Sequence, residues 1–163
     1  MKQITPFLWF DDNAEEAVNF YTSVFKDSKI QSITRYDEAA AKATGRASGS
    51  LMTATFQLNG QEFIALNGGP QFKFTEAVSF VINCENQKEV DYYWEILTTG
   101  GDAKAQQCGW LKDRYGLSWQ VVPTILSKLL ADKNAKKSQS VMMAMLQMKK
   151  IDIAALEKAY AAG

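Results

Sequence analysis

Gln120 stands in "GLSWQVVP" between Trp119 and Val121, a neutral amide in an otherwise apolar run. A polar side chain so placed could ligate a metal, contact a bound molecule or simply fill a sheet. Glu62, in "NGQEFIALN", is the carboxylate with which it could act, as a general acid or base beside an orienting amide. Two polar residues on facing strands can equally well just bond each other. The chain has no histidine, which removes the commonest general base and the commonest transition-metal ligand together. Its two cysteines, Cys84 and Cys108, lack CxxC spacing. They therefore argue against a thiolate metal site and a disulfide framework, and read as small buried apolar residues. Lys112 shares a strand face with Cys108 and Trp110, and a nearby ammonium would lower a thiol pKa, but no histidine is present to act as base. Lys112, Asp113 and Arg114 read as a solvated turn.

Composition bounds what these residues can serve. A chain of 163 residues is the size of one ordinary domain, which buries roughly 70% of the surface its unfolded chain exposes. Lys and Arg number 18, as do Asp and Glu, so no basic field attracts phosphate backbones and nucleic acid is not an expected partner. Apolar runs such as "AVSFVI" are far shorter than the ~20 residues of a membrane helix, and "MKQITPFLWF" lacks a signal peptide's long apolar region. No membrane association is expected, and the location implied is cytoplasmic.

The elements that must position Gln120 and Glu62 emerge when the chain is compared with itself. "ITPFLWFDDNAEEAVNFYTSVF" reads as a strand running into a helix, with Ala14, Ala17, Val18, Tyr21, Val24 and Phe25 on one stripe and Asp12 or Asn13 as cap. "AVSFVINCENQKEVDYYWEIL" repeats the plan, and sliding it over the first without a gap sets Leu8 on Phe80 and Phe20-Tyr21 on Tyr92-Tyr93. Strand-like runs follow each helix: "KIQSITRY", "LMTATFQL" and "QEFIALN", then "DAKAQQC", "GWLKD" and "LSWQVV". Asn59-Gly60 is a strong hairpin signal, because both residues tolerate the positive φ of a type I′ turn. Each half therefore reads β-α-β-β-β. The fold class is α+β: paired modules, about 1–70 and 71–124, forming a curved eight-stranded mixed sheet around a cleft. "DEAAAKATGRASGS" reads as a solvated loop, with a lid over the cleft as the alternative. A helical tail occupies about 125–163, in which Met142, Met143, Met145 and Met148 read as core or interface filling.

The stretches "FDDNAEEAVNFYTSVF", "LNGGPQFKFTEAVSFVINCENQKEVDYYW", "QCGWLKDRYGLSWQVVP" and "AMLQMKKIDIAALEKAY" resemble the PhnB-like branch of the vicinal oxygen chelate superfamily, relatives of glyoxalase I and bleomycin-resistance proteins. Members are often labelled 3-demethylubiquinone-9 3-methyltransferase. The resemblance implies paired βαβββ modules and a homodimer. The methyltransferase label finds no support in the residues, because no glycine-rich turn of the Rossmann type follows "ITPFLWF".

The resemblance also implies metal ligands on the first and last strands of each module. The first-strand position falls on Thr5, and the gapless repeat carries it to Ala77. Counting from the turn glycines Gly60 and Gly116 sets the last-strand positions at Ile64 and Gln120. Thr, Ile, Ala and Gln are a poor donor set for a divalent ion, so no metal and no cofactor are expected. Strand alternation then lines the cleft with Thr5, Phe7, Trp9, Glu62, Ile64, Leu66, Ala77, Ser79, Ser118 and Gln120. Such a lining suits a small, largely apolar or aromatic molecule, and equally a closed core with a few satisfied polar groups. The functions left open are a small-molecule binder, an enzyme of the vicinal oxygen chelate type (lyase, dioxygenase or the labelled methyltransferase), and a dimeric scaffold.

Overall fold

The computed structural model describes residues 4–163. The chain divides into two compact units, with the boundary between Lys73 and Phe74.

In the first unit, β1 (Phe7–Phe10) leads into α1 (Ala14–Val24), followed by β2 (Lys29–Arg35), α2 (Glu38–Thr44), β3 (Leu51–Leu58) and β4 (Gln61–Asn67). The strands form one mixed sheet in the order β1-β4-β3-β2, with β1 parallel to β4 and the other pairs antiparallel. Asn59 and Gly60, at φ 48° and 80°, make the hairpin turn expected of them. One sheet face carries Leu8, Phe10, Ala54, Phe56, Leu58, Phe63 and Ala65, all buried. It packs under α1, whose Ala14, Ala17, Val18, Tyr21 and Val24 are buried in turn. The helix start differs from expectation. Asn13 makes no side-chain cap. Asn67, at the end of β4, accepts from the Ala14 N–H at 2.8 Å and donates to the Leu51 carbonyl at 3.1 Å. A buried donor at a helix terminus needs a partner, and here the sheet supplies it.

The stretch expected to be a loop or lid is instead partly helical. Asp37 caps α2 by accepting from the Ala40 N–H at 2.7 Å, and Gly45 ends it at φ 71°. Acid cap, alanine run and terminal glycine are ordinary start and stop signals.

In the second unit, β5 (Phe80–Cys84), α3 (Gln87–Thr98), β6 (Trp110–Lys112) and β7 (Ser118–Pro123) give a three-stranded mixed sheet in the order β5-β7-β6. Ile82, Cys84, Leu111, Trp119 and Val121 are buried on the face under α3, which contributes Val90, Tyr93 and Leu97. The described residues therefore form seven strands, one fewer than expected. The missing one is "DAKAQQC". Asp102 accepts from the Lys104 N–H at 2.9 Å and turns Ala103–Ala105 into a single 3-10 turn, leaving only a Gln107–Trp110 bridge.

The tail folds onto this unit as α4 (Thr124–Leu130), α5 (Ala135–Leu146) and α6 (Ile153–Ala162). Leu126, Val141, Ile151 and Leu156 form its core, with Met145 and Met148 packed against them, while Met142 and Met143 are 40% and 61% exposed. Gln87 ties the tail to α3: its Nε2 donates to the Ile151 carbonyl at 3.1 Å and its Oε1 accepts from the Ile153 N–H at 2.8 Å. Lys150 pairs with Asp91 at 2.6 Å. No helix among the described residues is long and apolar enough to cross a membrane.

Candidate functional site

Because β1 and β4 are parallel with Phe7 opposite Ile64 and Trp9 opposite Leu66, the residues predicted to line one face in the first unit do share it: Thr5, Phe7, Trp9, Glu62, Ile64 and Leu66. Phe7 is 55% exposed, and the other five are half-buried. The carboxylate on this face is engaged, with Glu62 Oε1 accepting from the Thr5 hydroxyl at 3.2 Å.

At the β4 end the face is extended by Gly68 to Phe72. The Trp9 indole N–H donates to the Gly69 carbonyl at 2.8 Å, and Phe72 meets the indole edge-on at 5.0 Å while 64% exposed. Glycine is favoured here. A Cβ on Gly68 would lie 2.3 Å from Trp9 ring atoms, and Gly69, beside Arg46 Nη2, has φ 107°, which L side chains rarely adopt. Arg46 follows α2, and its side chain is only 20% exposed; it pairs loosely with Asp11, whose Oδ1 is 3.6 Å away. Sequence reasoning missed Arg46 and Phe72, although the cap and stop of α2 were readable and would have brought Arg46 to the end of a helix.

In the second unit, Gln120 lies opposite Val81 on β5 and Trp110 on β6. Its Nε2 donates to Ser79 Oγ at 2.9 Å. With Ile64 and Gln120 set as equivalents, the two parallel registers make Phe7 the counterpart of Val81, and so Thr5 the counterpart of Ser79. Ala77 lies two residues earlier, exposed in the turn before β5. The gapless repeat was out by two residues, an even slip that keeps every side chain on its face but misplaces the first-strand position. Ser118 is 1% exposed, and its hydroxyl has no hydrogen-bond partner among the described residues. Lys112, opposite Ser118, forms an ion pair with Glu76, whose carboxyl is held below the usual range by the hydrogen bond from that ammonium.

Asp113 is a correction. Far from a solvated turn residue, it is 3% exposed. Its Oδ1 accepts from the N–H groups of Tyr115 and Leu117 at 2.8 and 3.0 Å, and Oδ2 accepts from the Trp119 indole at 2.8 Å. The "KDRYGLSW" turn is built around a buried carboxylate. Cys84 is fully buried, and burial, followed by the charges of Glu89 and Glu85, pushes its thiol up to about 12, so it is not a nucleophile at neutral pH.

Among the described residues, no group of three or more histidine, cysteine, aspartate or glutamate side chains is placed to hold a metal ion. The positions that the resemblance assigns to metal ligands hold Thr5 and Ile64 in the first unit and Ser79 and Gln120 in the second. Hydroxyls and a neutral amide are weak ligands for a divalent transition metal.

Two mixed sheets, each pairing its first strand in parallel with its last and carrying a helix after the first strand, match the glyoxalase-like fold of the vicinal oxygen chelate superfamily. Solved structures agree. The PhnB protein of Bacillus cereus is 40% identical, the match covering 76% of this chain and all of that one, with a TM-score of 0.65. A protein from Pseudomonas aeruginosa (18% identity, 76% and 98% covered, TM-score 0.58) and the fosfomycin resistance protein FosX of Mesorhizobium loti (15%, 80% and 98%, 0.55) share the fold. No curated protein matches. The family model described as 3-demethylubiquinone-9 3-methyltransferase matches residues 2–122, and the chain belongs to that PhnB-like family. The family model stops at Val122, so the resemblance seen in the tail sequence lies beyond it.

Proposed function

We propose that this protein binds a small, largely apolar or aromatic molecule on the open face of its first sheet, without a catalytic metal. The observation that carries the reading is the set of aromatics left uncovered there: Phe7 and Phe72, 55% and 64% exposed, beside half-buried Trp9, Ile64 and Leu66. Contiguous exposed apolar surface marks binding sites in soluble proteins. Apolar walls with a few polar points, here Thr5–Glu62 and Arg46, are typical of small-molecule sites. The FosX neighbours are described as fosfomycin resistance proteins, which supports a role for this fold toward a small molecule. The family description names methyl transfer, but the connection from β1 to α1, Asp11-Asp12-Asn13, has no glycine-rich turn to cradle a methyl donor in the Rossmann manner. The protein acts as a cytoplasmic homodimer in this reading, with exposed Met142, Met143 and Leu146 available for subunit contact.

Isothermal titration with 2-naphthamide tests the binding reading. Saturable binding that Phe7→Ser weakens several-fold, together with a melting temperature indifferent to Mn(II), Ni(II) and Zn(II), is expected. Absence of saturable binding, or stoichiometric metal in the purified protein, refutes it.

A further inference from the structure

Among the described residues, the Arg46 guanidinium has an ion-pair partner but no hydrogen bond. Its side chain is only 20% exposed. A guanidinium carries five N–H donors in a planar fork suited to a carboxylate. The acceptor the structure gives it, Asp11 Oδ1, is 3.6 Å away, beyond hydrogen-bond distance, and belongs to a side chain that is 54% exposed. Covering a guanidinium this far without hydrogen bonds is costly unless an acceptor arrives. Its position is defined by the same glycine strap that seats the aromatics: the Trp9 indole lies against Gly68 and bonds the Gly69 carbonyl, and Arg46 Nη2 lies against Gly69. Phe72 meets the indole edge-on.

From this juxtaposition we infer that the site selects an aromatic or apolar acid, its ring on Trp9 and Phe72 and its carboxylate on Arg46. The inference rests on the proposed binding function and adds the ligand's charge. Asp11 competes with the ligand for the guanidinium, so removing its charge and removing Arg46 have opposite effects on the same affinity. A purely structural role for Arg46 would not produce that opposition.

The test compares 2-naphthoate with its neutral isostere 2-naphthamide by isothermal titration. Wild-type protein binds the acid about tenfold more tightly, the scale of one charge-assisted contact at a partly exposed site. Arg46→Met abolishes the preference, the acid losing more affinity than the amide, Arg46→Lys keeps part of it, and Asp11→Asn tightens the acid more than the amide. High salt narrows the preference in the wild type. Equal affinity for the two probes in the wild type, or a preference that survives Arg46→Met, overturns the inference while leaving the binding reading intact. Failure of both probes to bind overturns both.

Discussion

Replacing Asp113 by alanine should destabilise the second unit by about 3–5 kcal/mol. The carboxylate accepts from two backbone N–H groups and from the Trp119 indole, at 2.8 to 3.0 Å. Hydrogen bonds to a charged group contribute about 1.5–3 kcal/mol each, but such values are not additive within one network. Leu117 and Trp119 are each 3% exposed, so their donors cannot turn to water when the acceptor is removed, and each orphaned group costs about 1–3 kcal/mol. Tyr115 is half-buried, and its N–H recovers part of its loss from solvent. Since a domain of this size is stable by only about 5–15 kcal/mol, the change removes a large share. Asp113→Asn should cost about half as much: it keeps one carbonyl-type acceptor for the backbone pair but turns an amide N–H₂ toward the indole N–H. Urea unfolding followed by tryptophan fluorescence and far-ultraviolet circular dichroism measures both. A loss below about 1 kcal/mol for alanine, or equal losses for alanine and asparagine, would show that the carboxylate does not organise the turn.

Acid should loosen the tail's attachment. Lys150, and then the Gln87 amide, hold the Asp91 carboxyl below its usual value; a depressed folded-state pKa gives stability that is present above the ordinary carboxylate pKa of about 3.9 and lost as pH falls through the lower folded value. Wild type and Asp91→Asn should differ in melting temperature at pH 7 by the equivalent of under about 1 kcal/mol, since both charges are near half-exposed, and should converge once the pH has fallen through the lowered folded-state value; a gap that persists in acid contradicts the assignment. A chain ending at Pro123 loses Leu126, Val141, Ile151 and Leu156, the core of the tail, so light scattering should find a dimer for the full chain and aggregation for the shortened one. A soluble, monomeric truncation with unchanged melting would count against both the packing and the proposed assembly.

Alternation and hairpin chemistry were legible in the chain because they are local. The period of two in "FLWF", "QEFIALN" and "SWQVV" assigned each side chain a face, and burial follows it apart from Ser118, which is buried on the face of Gln120. Asn59-Gly60 announced its turn, and the repeated strand-helix plan pointed to the fold. The tertiary structure decided matters that depend on partners distant in sequence. Asn67 rather than Asn13 caps α1, because the end of β4 arrives where the helix begins. Ser79 rather than Ala77 matches Thr5, because register is set by pairing with β7 and not by sliding the chain along itself. Asp113 is charged and sits beside Arg114, which in sequence reads as surface. Only the meeting of a tight turn with the Trp119 indole turns its two oxygens into the centre of that turn. Arg46 carries no signal of its own in the sequence; it gains a role because α2 ends beside the glycines that pack against Trp9.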